Sequence, residues 1–172
     1  GHSPREIRNV VLMGMGEPLL NFDHVLEAIR RMLHPEALAM SPRRITLSTV
    51  GIPRGIYRLA EEDVEVRLAL SLHAPDDELR NVLVPINRRH PIAELLDACW
   101  DYAAATNAVG ITFEYVMLAG VNDAEAQARA LAKLLVNRPA KVNLIPFNPF
   151  PGSGYRRSTP EAHPPSRTKP SG

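Results

Sequence analysis

Apolar positions along this chain recur with two periods, and the two periods take turns. Short runs rich in Val, Ile, Leu and Thr read as strands: "NVVLM" (Asn9 to Met13), "RITLST" (Arg44 to Thr49), "VRLALSLH" (Val66 to His73), "GITFEYVML" (Gly110 to Leu118) and "KVNLIPF" (Lys141 to Phe147). Between them the apolar residues fall every three to four positions. Val25, Leu26, Ile29, Met32 and Leu33 make one helical stripe, and Ile92, Leu95, Leu96, Cys99 and Ala103 make another. A third helix is expected from Asp123 to Val136, and a weaker one over Ile52 to Glu62. Asn21 or Asp23 stands where it can cap the first helix and Asp123 where it can cap the third, since a short polar side chain accepts orphan backbone N–H groups. Strands separated by helix-length connections predict an α/β fold with a parallel sheet.

Side chains alternate across a strand, so each run splits into two faces. In "ITLSTV" one face is Ile45, Leu47 and Thr49, and the other is Thr46, Ser48 and Val50. Leu68, Leu70 and Leu72 oppose Ala69, Ser71 and His73; Ile111, Phe113, Tyr115 and Met117 oppose Thr112, Glu114 and Val116. A parallel strand buried on both sides reads as a nearly continuous apolar run. Here one face is small and polar instead, which suits the lumen of a (β/α) barrel, whose C-terminal mouth holds ligands. The solvent side of an antiparallel sheet is the alternative, and the long connections argue against it.

Composition narrows the class. With 172 residues, 45% of them hydrophobic, the chain can bury one real core. Lys plus Arg (20) nearly balance Asp plus Glu (19), so bulk charge points to no particular partner and any nucleic-acid contact must come from local patches. Its one cysteine, Cys99, excludes an internal disulfide and any iron-sulfur site built on several cysteines of this chain. Cys99 lies in a helical stripe and reads as a small core residue. No apolar run reaches the length of a bilayer span and the first residues lack a signal-peptide layout, so a cytoplasmic protein with no membrane partner is expected. The chain opens on Gly1 rather than Met, as a fragment would. Residues 1–150 carry the alternating core; from Pro151 to Gly172 the sequence turns to Pro, Ser, Gly and Arg, and a disordered tail is expected.

Candidate chemistry collects at the strand ends. In "GMGEPLLN" (Gly14 to Asn21), Gly14 and Gly16 allow close approach of a ligand to the backbone, and Glu17 supplies a carboxylate for an ammonium. The two glycines are equally explained by a tight strand-to-helix turn. "SLHAP" brings Ser71 and His73 to the polar face; a hydrolytic triad needs an acidic third member, which Glu114 could supply only from a neighbouring strand. Asn143 and Asn148 in "NLIPFNPFPG" could read a base edge or cap a turn. "NRRH" (Asn87 to His90), Arg43 with Arg44, and Arg156 with Arg157 are candidate phosphate contacts or solvated surface.

Taken in order, "GMGEPLLN", "RRITLSTVGI", "LALSLHAPDDELR", "LVPINRR", "FEYVMLAGVND" and "KVNLIPFNPFPG" resemble the radical S-adenosylmethionine (SAM) enzymes, and within them the RlmN/Cfr family of RNA adenine methyltransferases. The resemblance implies a partial TIM-like (β/α) barrel of the radical SAM type, with about five parallel strands corresponding to the second to sixth. It implies that Gly16 and Glu17 bind the amino group of SAM, and that Ser48, Ser71, Leu72, His73 and Asn148 are further SAM contacts, Leu72 through its backbone. The implied activity is methylation of C2 of an adenine in 23S rRNA, and possibly tRNA, with SAM and a [4Fe-4S] cluster and with an electron donor such as flavodoxin or ferredoxin. The family's cluster-binding cysteine loop and its methyl-carrying cysteine have no counterpart here, and Cys99 matches neither. Two alternatives stand beside that reading: a truncated, non-catalytic remnant that at most binds SAM or RNA, and a Cfr-type enzyme acting at C8.

Overall fold

The computed structural model describes residues 7–106 and 110–159. Five strands, β1 (Val10–Leu12), β2 (Ile45–Thr49), β3 (Arg67–Ser71), β4 (Ile111–Met117) and β5 (Ala140–Pro146), form one sheet in the order β1-β2-β3-β4-β5. Every neighbouring pair is parallel. The connections carry α1 (Phe22–Leu33), α2 (Pro53–Ala60), α3 (Asp77–Leu83), α4 (Ile92–Ala105) and α5 (Glu125–Leu134). Because strand order follows chain order and crossovers are right-handed, the helices gather on one side of the sheet. This is the expected α/β arrangement of a partial (β/α) barrel.

The faces divide as the alternation predicts. Ile45, Leu47, Leu68, Leu70, Ile111 and Phe113 are buried against Leu26, Ile29, Ile56, Leu59, Leu95 and Cys99 from the helices. Each large aliphatic side chain enclosed there contributes roughly 1.5–3 kcal/mol. Tyr102 of α4 reaches through this core to donate a 2.6 Å hydrogen bond to the carbonyl of Val66, tying α4 to the start of β3. On the other face Thr46, Ser71, Thr112 and Glu114 are only partly covered, and Lys141 and Asn143 are exposed. Pairing aligns these positions in rows: Ala69, Thr112 and Lys141 in one, Ser71, Glu114 and Asn143 in the next.

Several local expectations are corrected. His73 lies beyond β3, in left-handed backbone (φ 60°), so it leaves the strand instead of continuing its alternation. Asp123 does not cap α5, whose N-cap is Ala124; its carboxylate accepts the Gly120 N–H within the preceding loop. Asn21 holds the N-cap position of α1 but bonds His24 Nδ1 rather than a backbone N–H. The short α3 has no counterpart in the sequence reading. In seven residues it buries a single side chain, Arg80, so its apolar period is invisible. The stretch expected as tail is folded over its first residues: Ala119 donates to the Arg156 carbonyl at 2.9 Å, Leu118 bridges Arg157, and Tyr155 meets Phe147 edge-on. The remainder of that stretch, 160–172, lies outside the described residues.

Candidate SAM-binding rim

The turn after β1 needs its glycines for conformation, not for space. Gly14 and Gly16 have φ of 120° and 99°, where an L side chain is strained, yet an added Cβ would touch nothing within 4 Å at either. That backbone delivers Glu17 to the C-terminal end of β2. Its Oε1 accepts from Leu19 N (3.0 Å) and Thr49 Oγ1 (2.8 Å), and its Oε2 accepts from Val50 N (2.8 Å). The carboxylate therefore fastens the first turn to the second strand. Three donors leave it one of about four acceptor positions.

A second fastening lies behind the rim. The fully buried Arg80 guanidinium donates to the carbonyls of Val50 (2.7 Å), Ser71 (2.9 Å) and Leu72 (3.1 Å), and to Asn87 Oδ1 (2.7 Å). Asn87 passes its own donors to Asp77 and Asn81. Among the described residues no carboxylate pairs with Arg80, and burial lowers its pKa to about 10. Arg80 ties the ends of β2 and β3, and Val50 joins it to Glu17.

His73 completes the rim toward β4. Its Nδ1 accepts from Val116 N (3.1 Å), and Asn122 Nδ2 donates to its carbonyl and to that of Val116 (both 2.8 Å). Burial, helped by the Arg80 charge, lowers the imidazole pKa to about 4, so at neutral pH the proton sits on Nε2. With Nδ1 accepting from Val116 N–H and the proton on Nε2, the ring has no free lone pair to act as a general base, and Glu114 Oε2 accepts from Asn143 (2.8 Å) instead of orienting it. That excludes the triad, although Ser71 and Glu114 are indeed paired across β3 and β4. Beside His73 and Val116 opens a cavity of about 280 Å³, lined also by Phe147, Phe150 and Tyr155.

Of the seven expected site residues, Glu17, Ser71, Leu72 and His73 share this hydrogen-bonded rim, with Gly16 in its turn. Leu72 is buried, and its backbone carbonyl is already used by Arg80. Ser48 is one row deeper on the same face, opposite Ala69. Asn148 is exposed on the loop after β5. Thr49, Arg80 and Asn122 escaped the sequence reading, and Asn87, expected as a phosphate contact or solvated surface, instead lies buried in the Arg80 network. The one signal for them was spacing: Arg80 and Asn87 stand seven residues apart, two helical turns, but Pro85 interrupts the helix between them. Arg88 and Arg89, like Arg43 and Arg44, are exposed, whereas Asn87 is buried.

Comparison with known proteins matches the model of the radical SAM superfamily to residues 3–132, three quarters of the chain. The chain belongs to the radical SAM superfamily. It is 65% identical over 162 residues, 94% of its length, to a probable dual-specificity RNA methyltransferase RlmN of Thermus thermophilus, and covers 45% of that protein. It is 55% identical over the same share to the dual-specificity RNA methyltransferase RlmN of Granulibacter bethesdensis, of which it covers 41%. A radical SAM methyltransferase from Sphaerobacter thermophilus superposes with a TM-score of 0.86 at 47% identity, over 90% of this chain and 45% of that one. This radical SAM chain thus spans a little under half the length of the curated relatives it matches, and its expected place among RlmN proteins is borne out.

The superfamily works with SAM and a [4Fe-4S] cluster. Among the described residues no group of three or more His, Cys, Asp or Glu side chains is arranged to hold a metal. Cys99 is enclosed in the core, where burial pushes its thiol up to about 12. A cluster needs several accessible thiolates, so the described residues of this radical SAM chain do not fit one.

Proposed function

We propose that this chain is the SAM-binding part of an RNA methyltransferase that modifies C2 of an adenine in 23S rRNA, and also in tRNA. The observation that carries the SAM reading is Glu17: a partly buried carboxylate at the C-terminal mouth, held by three donors with one acceptor position left. In this reading Glu17 and the Gly16 backbone receive the amino group of SAM. Ser48 and Ser71 border its path along the inner face and Leu72 adds its backbone, while His73 lines the aromatic cavity, which suits a purine, and Asn148 follows Phe147 of that cavity on the loop after β5. An RNA substrate is supported by the RlmN relatives, which are described as dual-specificity RNA methyltransferases. A cytoplasmic location, and an electron donor of the flavodoxin or ferredoxin class, belong to the same reading. No helix among the described residues is long and apolar enough to cross a membrane.

Titration calorimetry with SAM, and with an analogue lacking the amino group, tests the assignment. Glu17→Gln should weaken SAM binding at least tenfold and leave the analogue's affinity unchanged, because the carboxylate and the ammonium act as one pair. Equal losses for both ligands would reduce Glu17 to a structural tie.

A further inference from the structure

The opposite end of the sheet holds a second concave site. A cavity of about 600 Å³ opens among the N-terminal ends of β2 to β5, lined by Arg43, Arg67, Arg138 and Lys141 together with Glu65 and Thr112. At about 3.3 Å per residue, the seven residues of β4 set it about 20 Å from the rim. Arg67 and Lys141 project from the open face, in rows with Thr46 and Thr112. Arg138 is steadied by the Trp100 ring, 5.5 Å from its guanidinium.

Positive charge is concentrated in this concave mouth. Four cations and one carboxylate leave three positive charges in the lining, while the whole chain carries only +1. Elsewhere Arg30, Arg31, Arg58 and Arg129 each pair with a carboxylate, whereas Arg44, Arg54, Arg88 and Arg89 are exposed without one among the described residues. Among the described residues Arg43, Arg67, Arg138 and Lys141 have no such partner. Unpaired like charges around a cleft repel one another and focus a positive potential into it, which an anion relieves. Guanidinium forks suit the oxygens of phosphate in particular.

We propose that this lower mouth binds backbone phosphates of an RNA strand, at a site separate from the SAM rim; the choice of RNA rests on the function proposed above. Fluorescence anisotropy of a short RNA hairpin against the chain, over a range of salt concentrations, tests it. The double variant Arg67→Ala/Lys141→Ala should lose about tenfold in affinity, with the salt slope reduced by about two, one for each phosphate contact. Arg31→Ala/Arg129→Ala removes the same net charge at paired sites outside the cavity and should bind like the parent. Equal losses in both double variants, or none in the first, would overturn the site. Circular dichroism confirms that each variant is folded. SAM calorimetry on the same samples separates the two proposals: the lower-mouth variant should keep its SAM affinity even where Glu17→Gln loses it. If the chain binds inorganic phosphate at this mouth but no RNA, the RNA assignment fails.

Discussion

Arg80 shows how much one side chain can organise. Its guanidinium satisfies three backbone carbonyls and an amide oxygen, the bonds to Leu72 and Asn87 buried and those to Val50 and Ser71 partly so. Arg80→Met would leave two buried and two part-buried acceptors unpaired, the buried ones at roughly 1–3 kcal/mol each, partly offset because no charge need then be buried. A net loss of about 3 kcal/mol in urea unfolding is expected; a change under about 1 kcal/mol would mean the rim is held by other contacts. His73 makes a prediction with a sign. Its folded pKa of about 4 lies below the unfolded value of 6.5, so between those limits the unfolded chain binds the extra proton. Its stabilising contribution is complete above about pH 6.5 and drains away as pH falls toward 4, by at most about 3 kcal/mol. His73→Asn keeps an acceptor for Val116 N–H and tolerates left-handed backbone, so its unfolding midpoint should fall less between pH 7 and pH 5 than that of the parent. Neither role could be read in sequence, because the partners of Glu17, Arg80 and His73 lie up to 49 residues away and are brought together by strand pairing.

Between β4 and β5 the backbones approach so closely that Gly110 is required. An added Cβ would stand 2.2 Å from the Pro139 carbonyl oxygen, at φ 126°, beside the bond from Ile111 N to that same oxygen. Gly120 also has positive φ, but nothing lies within 4 Å of its would-be Cβ. Gly120→Ala should therefore cost only the left-handed strain, about 1–2 kcal/mol. Gly110→Ala must also push the strands apart and should lower the thermal midpoint much further; equal midpoints would show that the loop shifts freely. All five strands and the stripes of α1 and α4 were legible, because each of these elements turns one regular apolar face to the core, fully buried in the central strands and partly in β1 and β5. What stayed illegible was set by contacts of another kind. The shape of α3 follows a polar network rather than an apolar stripe, Asp123 serves its own loop, and the Pro-rich stretch after β5 is held by backbone pairing with Leu118 and Ala119 that composition does not encode.

The sheet of the whole molecule ends on β1 at one side and β5 at the other, each with one strand neighbour among the described residues. Such an edge presents a row of backbone donors and acceptors ready to pair with another chain. The two edges differ in reach. β1 has three residues, whereas β5 has seven, with Val142, Leu144 and Ile145 only partly covered and Lys141 its one charged side chain. Association should therefore begin at β5. Sedimentation velocity is expected to show concentration-dependent self-association of the chain, and Ile145→Lys to suppress it, since a charge on this strand must be desolvated before a second edge can dock. Substitution of Val11 by Lys on the shorter β1 should change it little. A chain that sediments as a monomer at every concentration would mean that β5 is protected in solution, whereas suppression by the β1 variant alone would move the association to the other edge.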